Sequence, residues 1–256
     1  MSPSVSLRRL DLAQTGIDPA VAAQVRALLR RGAAPDQRIR EGARAILAAV
    51  RSGGDAAVRD ANARLGGGRA DGSLLAGRAE MESAREALPP RIRAGLEQMI
   101  ENIRRFAETE LPETRTTTIV PGIEIERRWV PLARVGVYAP GGSAAYPSSL
   151  LMGVVPARVA GVGEIVVASP ADAEGGLNQT LLGAAALVGV DTFIVAGGAQ
   201  AVGALAYGLP ESGVEPVDRI VGPGNAWVTA AKLEVFGECG IDLPAGPSEV
   251  MVVADG

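Results

Sequence analysis

The sequence predicts an α/β protein whose larger part is a parallel sheet covered by helices. Three observations carry that prediction. From Arg134 onward, short Val/Ile-rich runs alternate with longer helix-like runs, which is the rhythm of successive βαβ units. The connections between runs are short and rich in glycine and proline, as turns in such folds usually are. Hydrophobic residues make up 47% of the 256 positions but aromatics only 3%, so the core must be aliphatic, which suits strands buried on both faces.

The elements follow in order. Residues 1 to about 130 are charged, arginine-rich and helical in pattern. In "RIREGARAILAAVRSGGDAAVRDANARLGGG", Ile39, Ala43, Ile46 and Val50 recur at helical spacing and meet a Gly-Gly stop. "PPRIRAGLEQMIENIRRFAETELP" carries Ile92, Leu96, Ile100, Ile103 and Phe106 as an apolar stripe, and core packing is the simplest use of such a stripe. "TTTIVPGIEIERRWVPL" reads as extended. Then come the strands "VGVYA", "EIVVAS", "TFIVAG" and "DRIVG". They are separated or followed by the helices "SSLLMGVVPARVAGV", "LNQTLLGAAALVGV", "AQAVGALAYGL" and "NAWVTAAKLEVFG". A last buried strand is expected from Glu249 to Ala254. The nearly uncharged run 181–209 is broken by Gly189-Val190-Asp191 and Gly197-Gly198, so it reads as helix, strand, helix rather than as a membrane span.

Composition excludes several kinds of chemistry. A net charge of −4 with scattered arginines gives no basic stripe for nucleic acid. There is no histidine and one cysteine, Cys239, which rules out a Ser-His-Asp triad, a Cys-His pair, a usual Cys/His zinc site and an intrachain disulfide. Cys239 reads as a small buried apolar residue. No charged n-region precedes an apolar h-region, so no secretory signal is read and a cytoplasmic protein is expected.

Ligands of open α/β sheets sit beyond the carboxyl ends of the strands. There the sequence places "APGGSAAYPSS", "GGAQAVG" and "GPGNAW". Glycine at a strand-to-helix turn lets a ligand approach the backbone, and the helix that follows suits a phosphate. The polar side chains presented are Tyr138, Gln200 and Asn225. Each also has a structural alternative: Asn225 as a helix N-cap, Gln200 as a helix-surface residue. Ser248 lies in "LPAGPSEVMVV"; with no histidine it cannot be a triad nucleophile, and a hydrogen-bonding role remains.

Taken together, "VGVYAPGGSAAYPSSLLMGVVPARVAGV", "GGAQAVGALAYG", "VDRIVGPGNAWVTAAKLEVFG" and "GIDLPAGPSEVMVVAD" resemble histidinol dehydrogenases. The likeness is dense from Trp129 to Asp255 and looser in "ILAAVRSGGDAAV" and "NIRRFAE". The resemblance implies two Rossmann-like lobes with an N-terminal helical segment. On that pattern the chain divides into the helical segment 1–34, the first half of lobe 1 at 35–133, lobe 2 at 134–248, and the start of a return to lobe 1 at 249–256. Lobe 1 is then incomplete and should expose apolar surface.

The resemblance further implies a zinc- and NAD-dependent homodimer that oxidises L-histidinol to L-histidine, the last step of histidine biosynthesis, with two NAD in succession. Tyr138, Gln200 and Asn225 fall on the family's NAD-contacting positions and Ser248 on a substrate-contacting one. The family's zinc ligands and its catalytic Glu-His pair have no counterpart in this sequence, so the chain looks like the N-terminal part of such an enzyme and is expected to be inactive alone. Two other readings are a relative that oxidises another small primary alcohol, such as a sulfonated diol, and a non-catalytic nucleotide-binding module.

Overall fold

The computed structural model describes residues 35–141 and 146–244. Residues 1–34, Ser248 and the strand expected from Glu249 lie outside them. Helix α1, Gln37–Leu65, opens on Asp36, whose carboxylate accepts from the Ile39 N–H at 2.9 Å, a side-chain N-cap. The anticipated Gly-Gly stop is a kink: Gly54 takes φ 50° and ψ −132° inside the helix, which then continues to Leu65. Only glycine adopts that backbone without strain. Just past the kink, the buried Asp55 accepts from the Glu211 N–H and the Ser212 hydroxyl, which fixes the turn after the helix at 198–207.

The next elements are β1 (Leu75–Ala76), α2 (Arg78–Glu86), α3 (Pro90–Thr109) and a hairpin of β2 (Arg115–Val120) and β3 (Ile123–Arg127). Then come β4 (Arg134–Tyr138), α4 (Pro147–Val159), β5 (Glu164–Ser169), α5 (Gln179–Leu187), β6 (Thr192–Val195), α6 (Gly198–Tyr207), β7 (Arg219–Val221), α7 (Ala226–Val235) and β8 (Gly240–Ile241). The strand-helix alternation from Arg134 is the one the sequence predicts.

One sheet runs β1-β6-β5-β4-β7-β8. β4, β5, β6, β7 and β8 are parallel, and β1 joins β6 antiparallel at one edge. Side chains alternate across it, as the pleat requires. Val135, Val137, Ile165, Val167, Phe193 and Val195 point to one face, into a core shared with Met81, Leu96, Leu150, Val154 and Leu182 of α2 to α5. Tyr138, Val166, Ala168, Ile194 and Ile220 point to the other, against Leu47, Val50, Val202, Leu205 and Val228 of α1, α6 and α7. The helices of residues 37–109 thus lie on the two faces of the same sheet that the later segments build. The α3 stripe is only partly core: Leu96 is buried and Ile100 and Ile103 pack against it, but Phe106 is 69% exposed because nothing among the described residues covers that end. No described helix is long and apolar enough to cross a membrane.

Candidate functional site

The chain goes from β4 to β5 and β6 on one side of the sheet, then returns to place β7 and β8 on the other side of β4. The order therefore reverses between β4 and β7. At such a switch point the connections diverge to opposite faces, which opens a crevice beyond the strand ends. A cavity of about 770 Å³ lies there, within the range of small-molecule sites. It is lined by the turns after β4 (Pro140, Gly141), β5 (Pro170), β6 (Gly197, Gly198) and β7 (Pro223, Gly224), and Leu65 and Gly66 contribute from the end of α1.

Tyr138, Gln200 and Asn225 all line this one cavity, although they are far apart in sequence. Tyr138 ends β4 and is buried; its hydroxyl accepts from the Gly198 N–H at 3.3 Å. Burial pushes its phenol pKa upward, and the Gly198 hydrogen bond partly opposes this, so the hydroxyl stays neutral at ordinary pH and acts as a hydrogen-bonding group. Gln200 is not on the helix surface: it is 3% exposed in the first turn of α6. Its amide donates weakly to Asn62 Oδ1 at 3.3 Å, while Asn62 Nδ2 donates to the Val195 carbonyl at 2.9 Å. Asn225 is the N-cap of α7, accepting from the N–H groups of Trp227 and Val228 at 3.0 and 3.2 Å.

The two helices that open on the crevice differ electrostatically. At α7 the side chain of Asn225 satisfies the first-turn donors. α6 begins on Gly197, which has no side chain to cap it, and its first residues, Gly198 to Gln200, line the cavity. With one donor taken by the Tyr138 hydroxyl, this helix N-terminus still carries partial positive charge and suits an anion.

Several residues at this site have no signal in their own motif. Asn62 orients Gln200 from a helix more than a hundred positions earlier in the chain. Trp227 packs over Gly42, where an added Cβ would come within 2.6 Å of the indole, so α1 and α7 close one wall together. Lys232 and Asp242 hold the turn after β7. The one clue in the sequence is that Lys232 is the only lysine.

The donors present do not fit a zinc centre. The sequence has no histidine, and no group of three His, Cys, Asp or Glu among the described residues could hold a metal. Cys239 is buried with its thiol against the Val217 carbonyl at 3.2 Å, and burial, with Asp218 adding to it, pushes its pKa up to about 11. A thiol so disposed is inert. Ser248 falls outside the described residues.

Fold and crevice define the class: a doubly wound α/β protein with a ligand-sized cleft at the switch point of a parallel sheet. Comparison with known proteins gives the family. The sequence profile described as histidinol dehydrogenase matches residues 29–256. The histidinol dehydrogenase of Leifsonia xyli subsp. xyli is 47% identical over 212 residues, covering 82% of this chain and 48% of that protein. That of Cupriavidus pinatubonensis is 45% identical over 263 residues, covering 99% of this chain and 57% of that protein. A crystal structure of histidinol dehydrogenase from Elizabethkingia anophelis superposes with a TM-score of 0.78 at 27% identity, over 88% of this chain and 52% of the other. The chain belongs to the histidinol dehydrogenase family. It spans about half the length of the curated relatives it matches.

Proposed function

We propose that this chain supplies the NAD-binding part of a histidinol dehydrogenase, an oxidoreductase of histidine biosynthesis that converts L-histidinol to L-histidine. The observation that carries the reading is the convergence of Tyr138, Gln200 and Asn225 on one cleft at the switch point, where dinucleotides bind in sheets of this strand order. The relatives that match are named for histidinol, which favours that substrate over another small alcohol.

NAD, when bound, supplies the hydride acceptor for the alcohol carbon. The chain's own residues then bind and orient. The first turn of α6 meets a phosphate with backbone donors and its dipole. Tyr138, held by Gly198, offers a fixed hydroxyl at the cleft floor. Gln200, propped by Asn62, and Asn225, at the head of α7, present amides to the ligand. The apolar walls, including Leu65 and Trp227, exclude water from the face they cover. Ser248 contacts histidinol in this reading. No proton transfer or metal step is assigned to this chain, because it has no histidine and no fitting donor set among the described residues. The working enzyme in this proposal is a zinc-dependent cytoplasmic homodimer.

The test is NADH formation. A protein that joins this chain to the remaining length of its relatives should form NADH from histidinol and none from dihydroxypropanesulfonate, and Asn225→Ala should raise the KM for NAD. The isolated 256-residue chain should form no NADH with zinc present. Turnover by the chain alone, or a preference for the sulfonated diol, would contradict the proposal.

A further inference from the structure

The turn between β7 and α7 forms one wall of the cleft, and its geometry is enforced from behind by two charged residues. Lys232, on the second turn of α7, is 7% exposed and donates to the Gly222 carbonyl at 2.9 Å. Asp242, just past β8, accepts from the Gly222 N–H at 2.8 Å. The two side chains also form an ion pair with each other. Both backbone groups of a single residue are therefore held by a cation and an anion that hold one another.

Gly222 itself has no freedom to spare. Its φ is +116°, and an added Cβ would come 2.1 Å from the Tyr138 carbonyl oxygen. The turn thus rests directly on the backbone of Tyr138 on one side and leads through Pro223 and Gly224 into Asn225 on the other. Burying a lysine is costly unless it is paired in good geometry, and removing one partner leaves the other charge uncompensated; this is the only lysine in the chain.

We propose that Lys232 and Asp242 are positioning residues for the cofactor: they fix Gly222 so that Tyr138 and Asn225 face the cleft at the spacing the nucleotide needs. Neither residue lines the nucleotide cleft, so their effect passes through the turn. The inference rests on the NAD reading of that cleft.

The test uses NADH fluorescence titration of the 256-residue chain, with amide hydrogen exchange of the segment 219–226. Asp242→Ala and Lys232→Met should each weaken NADH binding about tenfold, the size expected when a charge-assisted hydrogen bond is lost. They should speed exchange in 219–226 while β5 keeps its protection. Asp242→Asn, whose amide oxygen can still accept from the Gly222 N–H, should recover part of the affinity. The double variant Lys232→Met/Asp242→Ala should be no weaker than the worse single, because the pair acts as a unit.

A merely stabilising pair would lower the denaturation midpoint but leave the affinity of the folded protein unchanged, and that result would overturn the inference alone. If Asp242→Ala fails to fold, Asp242→Asn and Lys232→Met carry the same comparison. A parent chain that binds no NADH would overturn the nucleotide reading and this inference with it.

Discussion

Two β-regions of this chain start from similar side chains and end in opposite surroundings. β5, "EIVVAS", is buried along nearly its whole length, flanked by β4 and β6 and covered by helices on both faces. β3, "IEIER", alternates isoleucine with charge as a half-buried strand should, yet all five of its residues are exposed, with Ile123 at 54% and Ile125 at 56%. Among the described residues its only strand partner is β2, which is likewise exposed throughout. Cross-strand pairing puts Val120 opposite Ile123 and Thr117 opposite Ile125, but a two-stranded ribbon has no second layer to bury an apolar face against. Pattern sets which residues can be strand; the presence of a layer above decides whether their apolar side chains stabilise anything.

The largest expected contrast follows directly. Phe193→Ala, at a 1% exposed core position on β6, should cost about 3–5 kcal/mol in chemical denaturation. Ile125→Ala on the hairpin should stay within about 0.5 kcal/mol. Equal costs would show that the hairpin is covered in solution.

Next in size is Gly222→Ala. With a positive φ and the Tyr138 carbonyl in the way, it should cost about 2 kcal/mol or more and weaken NADH binding together with stability. Gly122→Ala, in the hairpin turn, has positive φ but nothing within 4 Å of the added Cβ. It should cost only about 1 kcal/mol, the intrinsic backbone penalty. The pair separates strain from collision.

Asn225→Ala removes the α7 cap and should cost about 1 kcal/mol, while Asn225→Asp, which still accepts from the same N–H groups, should keep stability. Loss of NADH affinity in both variants would assign the amide nitrogen to the ligand.

The smallest effect concerns Cys239. Its folded pKa, about 11, lies above the ordinary thiol value of 9.0, so the neutral form is the one the fold favours. The associated stability is fully present below the ordinary thiol pKa and is lost as pH rises through the folded one. Alkylation by iodoacetamide should be negligible near about pH 8 in the folded chain and rapid after denaturation.

Much of this was legible in the residues. The βαβ rhythm located β4 to β7 and their helices, because a strand buried on both faces must be a near-continuous apolar run. Tyr138, Gln200 and Asn225 could be picked out because strand ends and glycine turns mark where a parallel sheet can receive a ligand. Other features depend on packing between distant segments. Nothing in "RDANARL" announces that Asn62 will meet Gln200. The two-residue β1 is too short for a period to show. Gly54 reads locally as an end, yet α1 resumes because Val58 and Ala61 find a core on the far side of the kink. Phe106 sits on a correct helical stripe, but the stripe cannot say how far its cover extends.

The measurement that bears most directly on the account is a crystal structure of this chain soaked in NAD. The account predicts density in the cleft between the carboxyl ends of β4 and β7, in contact with Tyr138, Gln200 and Asn225. Density instead in the apolar groove of about 850 Å³ beside Trp129 and Met152, or no bound nucleotide at saturating concentration, would contradict it.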